Sequence, residues 1–380
     1  MPDIKAIYVH VPFCKRKCKY CTFASYCLRE NDIPAYLNGV KKELELRSAG
    51  GIIDTVYFGG GTPSLLSVAQ IAGILDTIKN NFDLRQDAEI TVEVNPGTVD
   101  LKYLSDLNKA GINRLSLGVQ SFNDAELEML GRIHTAKEAL KVIDDANGAG
   151  FSNLNLDLIY GLPGQSLKSW EGSLLKALET NPAHLSLYAL TLEPEDLLFK
   201  EINSGKYPEI SPDTAAEQYE LAEKLLKNHG YTHYEISNWA KPGAECCHNL
   251  VYWQGGRYLG IGVAAHSFIE NRRTANTADL DQYLDALSCG KPPPQELNEI
   301  IPVEIDIAES VILGLRLCGG IDLSHFQKRF NIDIMEWYKE PIGELLNIGL
   351  IETDKNLIRL TPHGRLLGNE VFWRFLPDTV

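Results

Sequence analysis

Six short runs of alternating polarity, each followed by a helical stretch, limit what this chain can fold into. They are IKAIYVHV (4–11), DTVYFGG (54–60), EITVEVN (89–95), RLSLGVQ (114–120), NLNLDLIYG (153–161) and HLSLYAL (184–190). Between them lie amphipathic segments. Ile33, Leu37, Val40 and Leu44 recur at helical spacing, and Ser67 stands as an N-cap before Val68, Ile71, Leu75 and Ile78. Strands alternating with helices predict parallel βαβ units.

The alternation within each run narrows the choice. A parallel strand covered by helices on both sides is apolar on both faces. Here one face carries Ile7, Val9, Val56, Phe58, Ile90, Val92, Leu115, Leu117, Leu154, Leu156, Leu185 and Leu187. The other carries Tyr8, His10, Tyr57, Thr91, Glu93, Ser116, Gly118, Gln120, Asn153, Asn155, Asp157, Ser186 and Tyr188. Helices suit the first face; the second must line water or a polar ligand. A closed eight-stranded barrel fills its interior with branched apolar side chains. Six strands with a polar interior predict an α/β fold of the incomplete, TIM-like (βα)6 kind. An open doubly wound sheet is the alternative, and it would bury both faces.

Directly after the first run comes HVPFCKRKCKYCTF (10–23), which places Cys14, Cys18 and Cys21 as C-x3-C-x2-C. Three thiolates on one tight loop can hold three corners of a cubane iron–sulfur cluster and leave the fourth iron open. An open position is where a metal site does chemistry. A closed zinc site is the alternative, with His10 or Cys27 as fourth ligand. The balance of 36 Lys and Arg against 51 Asp and Glu gives a net charge of −15. Such a field repels phosphate backbones, so no nucleic-acid partner is expected. No run is long and apolar enough for a transmembrane segment, and MPDIKAIYVHVPF lacks the features of a signal peptide. Eight cysteines are too few for a disulfide scaffold. Together these predict a cytoplasmic protein.

After residue 192 the pattern changes. A helix near 213–229 leads to THYEISNWAKPG (232–243), CCHNLVYW (246–253) and GRYLGIGVAAHSF (256–268), and KPPP (291–294) reads as a linker. Helical stretches near 305–317 and 333–348 precede GLIETDKNLIRLTPHG (349–364), a hairpin turning at Asp354–Asn356. Helices followed by a hairpin predict a small winged-helix-like C-terminal domain. The expected division is a partial barrel over 1–235, an extension and linker over 236–295, and the C-terminal domain over 296–380.

C-x3-C-x2-C after the first strand of such a barrel is similar to the radical S-adenosylmethionine (SAM) superfamily. YVHVPFC (8–14), FGGGTPS (58–64), EVNPG (93–97), LGVQSF (117–122), LGRIHT (130–135) and DLIYGLPGQ (157–165) resemble motifs of the subgroup containing oxygen-independent coproporphyrinogen III oxidase. The resemblance spans essentially the whole chain. It implies a [4Fe–4S] cluster on Cys14, Cys18 and Cys21, with SAM chelating the open iron and yielding a 5′-deoxyadenosyl radical on reduction. Gly60 and Gly61, beside Gly59, would let backbone groups approach SAM, and Thr62 would add a hydroxyl. Glu93, Gln120 and Asp157 suit the ribose hydroxyls and ammonium group, Arg132 the carboxylate, and Tyr8 and Tyr20 would bracket the cofactor.

Two departures point within the subgroup. The oxidase carries a fourth cysteine where this chain has Phe23, and a long extension before its first strand, whereas Tyr8 stands near the start here. Both match the HemW-type haem chaperones, which also carry H-N-x-x-Y-W; His248, Asn249, Tyr252 and Trp253 stand in that register. Neutral imidazole is a common axial ligand of haem iron, and Tyr252 and Trp253 offer flat apolar surface. The adjoining Cys246 and Cys247, and His266 in VAAHSF, are further candidates for the iron. The resemblance implies a carrier that passes haem to a haem-accepting respiratory protein near the membrane, with peripheral membrane contact, and draws on an electron donor. No catalytic residue is assigned. Coproporphyrinogen III oxidation is the alternative function, and Phe23 stands against it.

Overall fold

The computed structural model describes residues 3–48 and 51–377. All six expected runs are strands: β1 (Ile4–Val11), β2 (Ile52–Gly60), β3 (Asp83–Val94), β4 (Arg114–Gln120), β5 (Asn153–Tyr160) and β6 (His184–Ala189). They pair in sequence order, each parallel to the next. Right-handed crossovers between strands laid down in order all fall on one side of the sheet. A doubly wound sheet needs a reversal of strand order, and β1 to β6 contain none.

The crossovers are helices α1 (Ile33–Leu46), α2 (Val68–Asn81), α3 (Leu101–Lys109), α4 (Asp124–Leu130), α5 (Ala136–Gly148) and α6 (Leu167–Glu179). Ser67 caps α2 in a capping box with Gln70, and Thr135 caps α5 with Glu138. Each box satisfies backbone donors that the first helical turn leaves orphaned. Ile71, Leu75 and Ile78 of α2 and Val142 and Ile143 of α5 pack on the apolar strand face, where Val9, Phe58, Val92, Leu117, Leu156 and Leu187 are all but fully buried.

Beyond β6 come α7 (Leu197–Asn203), α8 (Pro212–Asn228) and a hairpin of β7 (Thr232–Glu235) and β8 (Asn238–Ala240), with β8 antiparallel to β6. The short α9 (Cys247–Trp253) leads to β9 (Arg257–Ile261), which returns to the other edge and lies parallel to β1. Antiparallel β10 (His266–Ile269), β11 (Arg272–Asn276) and, after α10 (Leu280–Ser288), β12 (Gln295–Ile300) complete a 12-stranded sheet whose outermost strands are β12 and β7. The barrel is therefore open. The segment expected as an extension and linker contributes four of its strands, β8 to β11.

The rest follows winged-helix order: α11 (Val303–Arg316), β13 (Ile321–Asp322), α12 (Leu323–Phe330), α13 (Ile334–Trp337), α14 (Lys339–Asn347), β14 (Ile351–Asp354) and β15 (Leu357–Leu360). The β14–β15 hairpin turns through Lys355, whose φ is +50°. Val311, Leu315, Phe326, Leu345 and Ile358 form a core of their own. No helix among the described residues is long and apolar enough to cross a membrane.

Candidate functional site

The cysteine loop leaves β1 and is tied down at several points. Phe13–Cys14 pairs in parallel with Tyr26–Cys27, the Lys19 amide donates to the Leu130 carbonyl at 3.0 Å, and the Lys19 carbonyl accepts from the Leu198 amide at 2.9 Å. Cys14, Cys18 and Cys21 thereby line one cavity of about 410 Å³ at the C-terminal ends of the strands. Gly60, Gly61, Thr62, Glu93, Gln120, Arg132, Asp157 and Tyr20 line the same cavity. The Thr62 hydroxyl donates to the Cys14 sulfur at 3.5 Å, and Arg132 Nη1 to the Cys18 sulfur at 3.4 Å. Burial pushes the Cys14 and Cys21 thiols up, which favours their neutral form.

The zinc alternative finds little support in the donors. A single zinc ion needs each thiolate about 2.3 Å from one point. A closed site would also need a fourth ligand, and His10 is not free to give one. His10 accepts from or donates to Tyr8 Oη at 3.0 Å through Nδ1 and meets the Ala24 carbonyl at 2.8 Å through Nε2. Neither ring nitrogen is left for a metal.

Several features fit a polar ligand beside the sulfurs. A Cβ on Gly61 would stand 3.0 Å from the Cys14 sulfur and 2.8 Å from the Phe13 carbonyl. Glu93 accepts from the Tyr57 hydroxyl at 2.9 Å and the Gly60 amide at 3.1 Å. Burial, and then the neighbouring Asp157 carboxylate, push its carboxyl up to about 7. Asp157, also raised by burial, accepts from Asn155 at 2.8 Å and Ser116 at 3.1 Å. Gln120 ends β4 with φ +68°, a conformation that costs a residue with a Cβ energy and clusters at ligand sites. Its Oε1 and Arg132 Nε are buried without partners, which in a cavity wall marks groups awaiting a ligand. Three thiols, two carboxylates, a guanidinium and an amide are the donors that a [4Fe–4S] cluster and SAM require. Tyr8 departs from its expected place. It lines the neighbouring cavity, with its ring stacked on Tyr57 at 6.2 Å.

That second cavity, of about 740 Å³, lies between β1, β9, β10 and α11. Tyr252, Trp253, Tyr258 and Phe268 give it aromatic walls, and Thr22 and Phe23 line both cavities. Of the four H-N-x-x-Y-W residues it receives Tyr252 and Trp253 alone. His248 is 2% exposed, with Nδ1 2.7 Å from Thr55 Oγ1 and Nε2 2.8 Å from the Tyr252 hydroxyl. Burial, and then the charge of Arg114, pull its imidazole down to about 3. Both nitrogens are engaged and the ring stacks on Tyr57 at 5.0 Å. Asn249 is half-buried on α9 and lines neither cavity. Cys246 is buried against Glu89, its thiol pushed up to about 12 by burial; Cys247 is exposed, and neither lines these cavities. His266 does line the second cavity, and is exposed.

Comparison with known proteins agrees with this geometry. Residues 8–177 match the Radical SAM superfamily and residues 304–367 the HemN C-terminal domain. The chain is 36% identical to "Heme chaperone HemW" of Bacillus subtilis, over 99% of this chain and 100% of that one. It is 44% identical to "Heme chaperone HemW" of Escherichia coli, over 98% of each. This chain belongs to the HemW family of radical SAM proteins. A mitochondrial radical S-adenosyl methionine domain-containing protein 1 of Mus musculus is 34% identical, over 98% of this chain and 87% of its own. Among solved structures, coproporphyrinogen III oxidase (HemN) from Escherichia coli superposes with a TM-score of 0.85 at 27% identity, over 99% of this chain and 91% of that one.

Membership in the HemW family implies a [4Fe–4S] cluster and SAM. Within that frame the structure adds three residues that the motifs did not single out: Thr55, Glu89 and Arg114. Glu89 accepts from the Cys247 and His248 amides at 3.1 and 3.0 Å, where a carboxylate suits the start of α9. Arg114 lies 3.9 Å from that carboxylate and is 2% exposed. Each stands two residues before a member of the polar face, Tyr57, Thr91 or Ser116, so the period of two already pointed at them.

Proposed function

We propose that this chain is a haem chaperone that binds haem beside a [4Fe–4S] cluster and SAM and passes it to a haem-accepting respiratory protein. The carrying observation is the pair of cavities that meet at Thr22 and Phe23: one lined by three thiols and polar groups, the other by aromatic rings. Cys14, Cys18 and Cys21 hold the cluster. Gly60, Gly61 and Thr62 offer backbone and hydroxyl contacts to SAM, Glu93, Gln120 and Asp157 take its ammonium and ribose groups, Arg132 its carboxylate, and Tyr20 packs against it. When bound and reduced, the cluster supplies one electron to the SAM sulfonium. Haem occupies the aromatic cavity, which α11 covers with Ile312 and Leu313. That use of the C-terminal module, on an acidic chain, suits cargo binding and leaves no part for nucleic acid. An external electron donor and a cytoplasmic location complete the reading; all eight cysteines are unpaired, as reducing conditions would keep them.

The close superposition on HemN favours a second reading, oxidation of coproporphyrinogen III. Phe23 weighs against it, since a cysteine there would add a fourth thiol to the loop. The test is an anaerobic incubation of the reconstituted chain with coproporphyrinogen III, SAM and reductant, beside haem transfer from the loaded chain to an apo-cytochrome. Haem transfer without protoporphyrinogen supports the chaperone; catalytic formation of protoporphyrinogen replaces it with the oxidase.

A further inference from the structure

Resting on the haem-chaperone reading, we infer that His266, and not the motif histidine His248, ligates haem iron in the aromatic cavity. Two histidines line that cavity, His10 and His266. Both nitrogens of His10 are taken, by Tyr8 and by the Ala24 carbonyl. His248 stands outside the cavity, held on both sides by Thr55 and Tyr252. An imidazole whose two nitrogens are both bonded to protein hydroxyls must give up one of those bonds to offer a lone pair to iron. His266 has no such engagement: among the described residues its ring makes no hydrogen bond or ion pair, and it is exposed to the cavity.

The backbone presents this one ring deliberately. His266 opens β10 after the turn Gly262–Ala265, in which Ala264 has φ +55°. A residue with a Cβ in the left-handed region is held there by its surroundings. The Ala264 amide donates to the Thr277 carbonyl at 2.9 Å, and Asn276 binds the Gly262 carbonyl through Nδ2 at 2.8 Å and the Ala265 carbonyl through its amide at 3.0 Å. The strained turn is thus pinned from both sides, and it fixes where the imidazole emerges.

The surroundings suit a flat, apolar ring. The cavity volume of about 740 Å³ falls within the roughly 300–1,000 Å³ of small-molecule and cofactor sites. Tyr258 packs edge-on against Tyr252 at 4.6 Å, and Trp253 is braced by Arg316 at 4.5 Å. The two wall carboxylates are already paired, Glu309 with Arg273 at 2.5 Å and Asp306 with Arg329 at 3.1 Å. Phe23 stands between this cavity and the cluster, so the cargo would abut the SAM site at the position where the oxidase subgroup carries a cysteine.

Anaerobically reconstituted full-length chain, titrated with ferric haem, tests the assignment by absorption and electron paramagnetic resonance. Wild type, His266→Ala and His248→Gln are compared, with far-UV circular dichroism and iron content to confirm folding and cluster loading. Loss of the histidine-ligated Soret band in His266→Ala, its return with added imidazole, and its retention in His248→Gln support the inference. An unchanged spectrum in His266→Ala, with wild type binding one haem, overturns the ligand assignment and leaves the chaperone reading intact. Loss of the band in a folded His248→Gln returns the ligand to the motif. No stoichiometric binding by wild type removes the chaperone reading itself, and the inference with it.

Discussion

Arg132 places its Nη1 3.4 Å from the sulfur of Cys18 while Nη2 donates to the Gly118 carbonyl at 2.7 Å. One guanidinium therefore ties the cysteine loop to the end of β4. A cation and a hydrogen bond at a cluster thiolate stabilise the reduced state. Arg132→Gln is expected to shift the cluster midpoint potential to more negative values and to weaken SAM binding. Arg132→Lys should restore the charge without the two-point grip, giving an intermediate potential. A redox titration followed by electron paramagnetic resonance, without SAM, checks this. Unchanged potentials in both variants would reduce the contact to packing.

If Glu93 contacts SAM as proposed, binding should depend on pH. Its carboxyl, raised to about 7 by burial and by Asp157, holds a proton under mildly acidic conditions. A cationic ligand beside it favours the carboxylate, so SAM binding should release a proton below about pH 7 and tighten as pH rises through that value. Calorimetric titrations in buffers of differing protonation enthalpy measure the release. Glu93→Gln should abolish both the release and the pH dependence; if it changes neither, Glu93 is not in contact with SAM.

The strands and the polar face were legible because a period of two needs only local sequence: Glu93, Gln120 and Asp157 line the cavity as expected. β9 was not read as a barrel strand. RYLGI sits among glycines, and its partner β1 lies some 250 residues away, a pairing with no local signature. His248 shows what local sequence omits: its type and motif suggested a ligand, and the hydroxyls of Thr55 and Tyr252 that engage its two nitrogens are brought there only by the folded chain. Asp322 caps α12, a helix that the apolar pattern of LSHFQKRF was too short to announce.

His248 also sets how the fold responds to acid. Its imidazole is held down at about 3, below the unfolded value of about 6.5. The stability it contributes is complete above about pH 6.5 and is lost as pH falls towards 3. His10, His134 and His184 are lowered in the same direction by burial. Glu93, being raised, opposes them between its unfolded and folded values. His248→Gln is expected to cost about 1–3 kcal/mol at pH 7.5, through imperfect bonds to Thr55 and Tyr252, and to shallow the loss of stability below pH 6.5. Urea unfolding of the full chain between pH 5 and 8, followed by circular dichroism, checks both; a wild-type acid slope in the variant would contradict the assignment.

Gly61 supplies a steric prediction for cluster loading. Its amide donates to the Val11 carbonyl at 2.8 Å, and an added Cβ would lie 2.9 Å from that oxygen, 2.8 Å from the Phe13 carbonyl and 3.0 Å from the Cys14 sulfur. Two of these neighbours are backbone and cannot swing away, so a methyl group must push the cysteine loop off the end of β2. Gly61→Ala should therefore lose iron and acid-labile sulfide while the sheet stays folded. Gly172 in α6 is the control, since nothing lies within 4 Å of its added Cβ. There alanine relieves helical backbone entropy, and Gly172→Ala should load normally and gain up to about 1 kcal/mol. Equal loading of the two variants would mean that β2 does not set the position of Cys14.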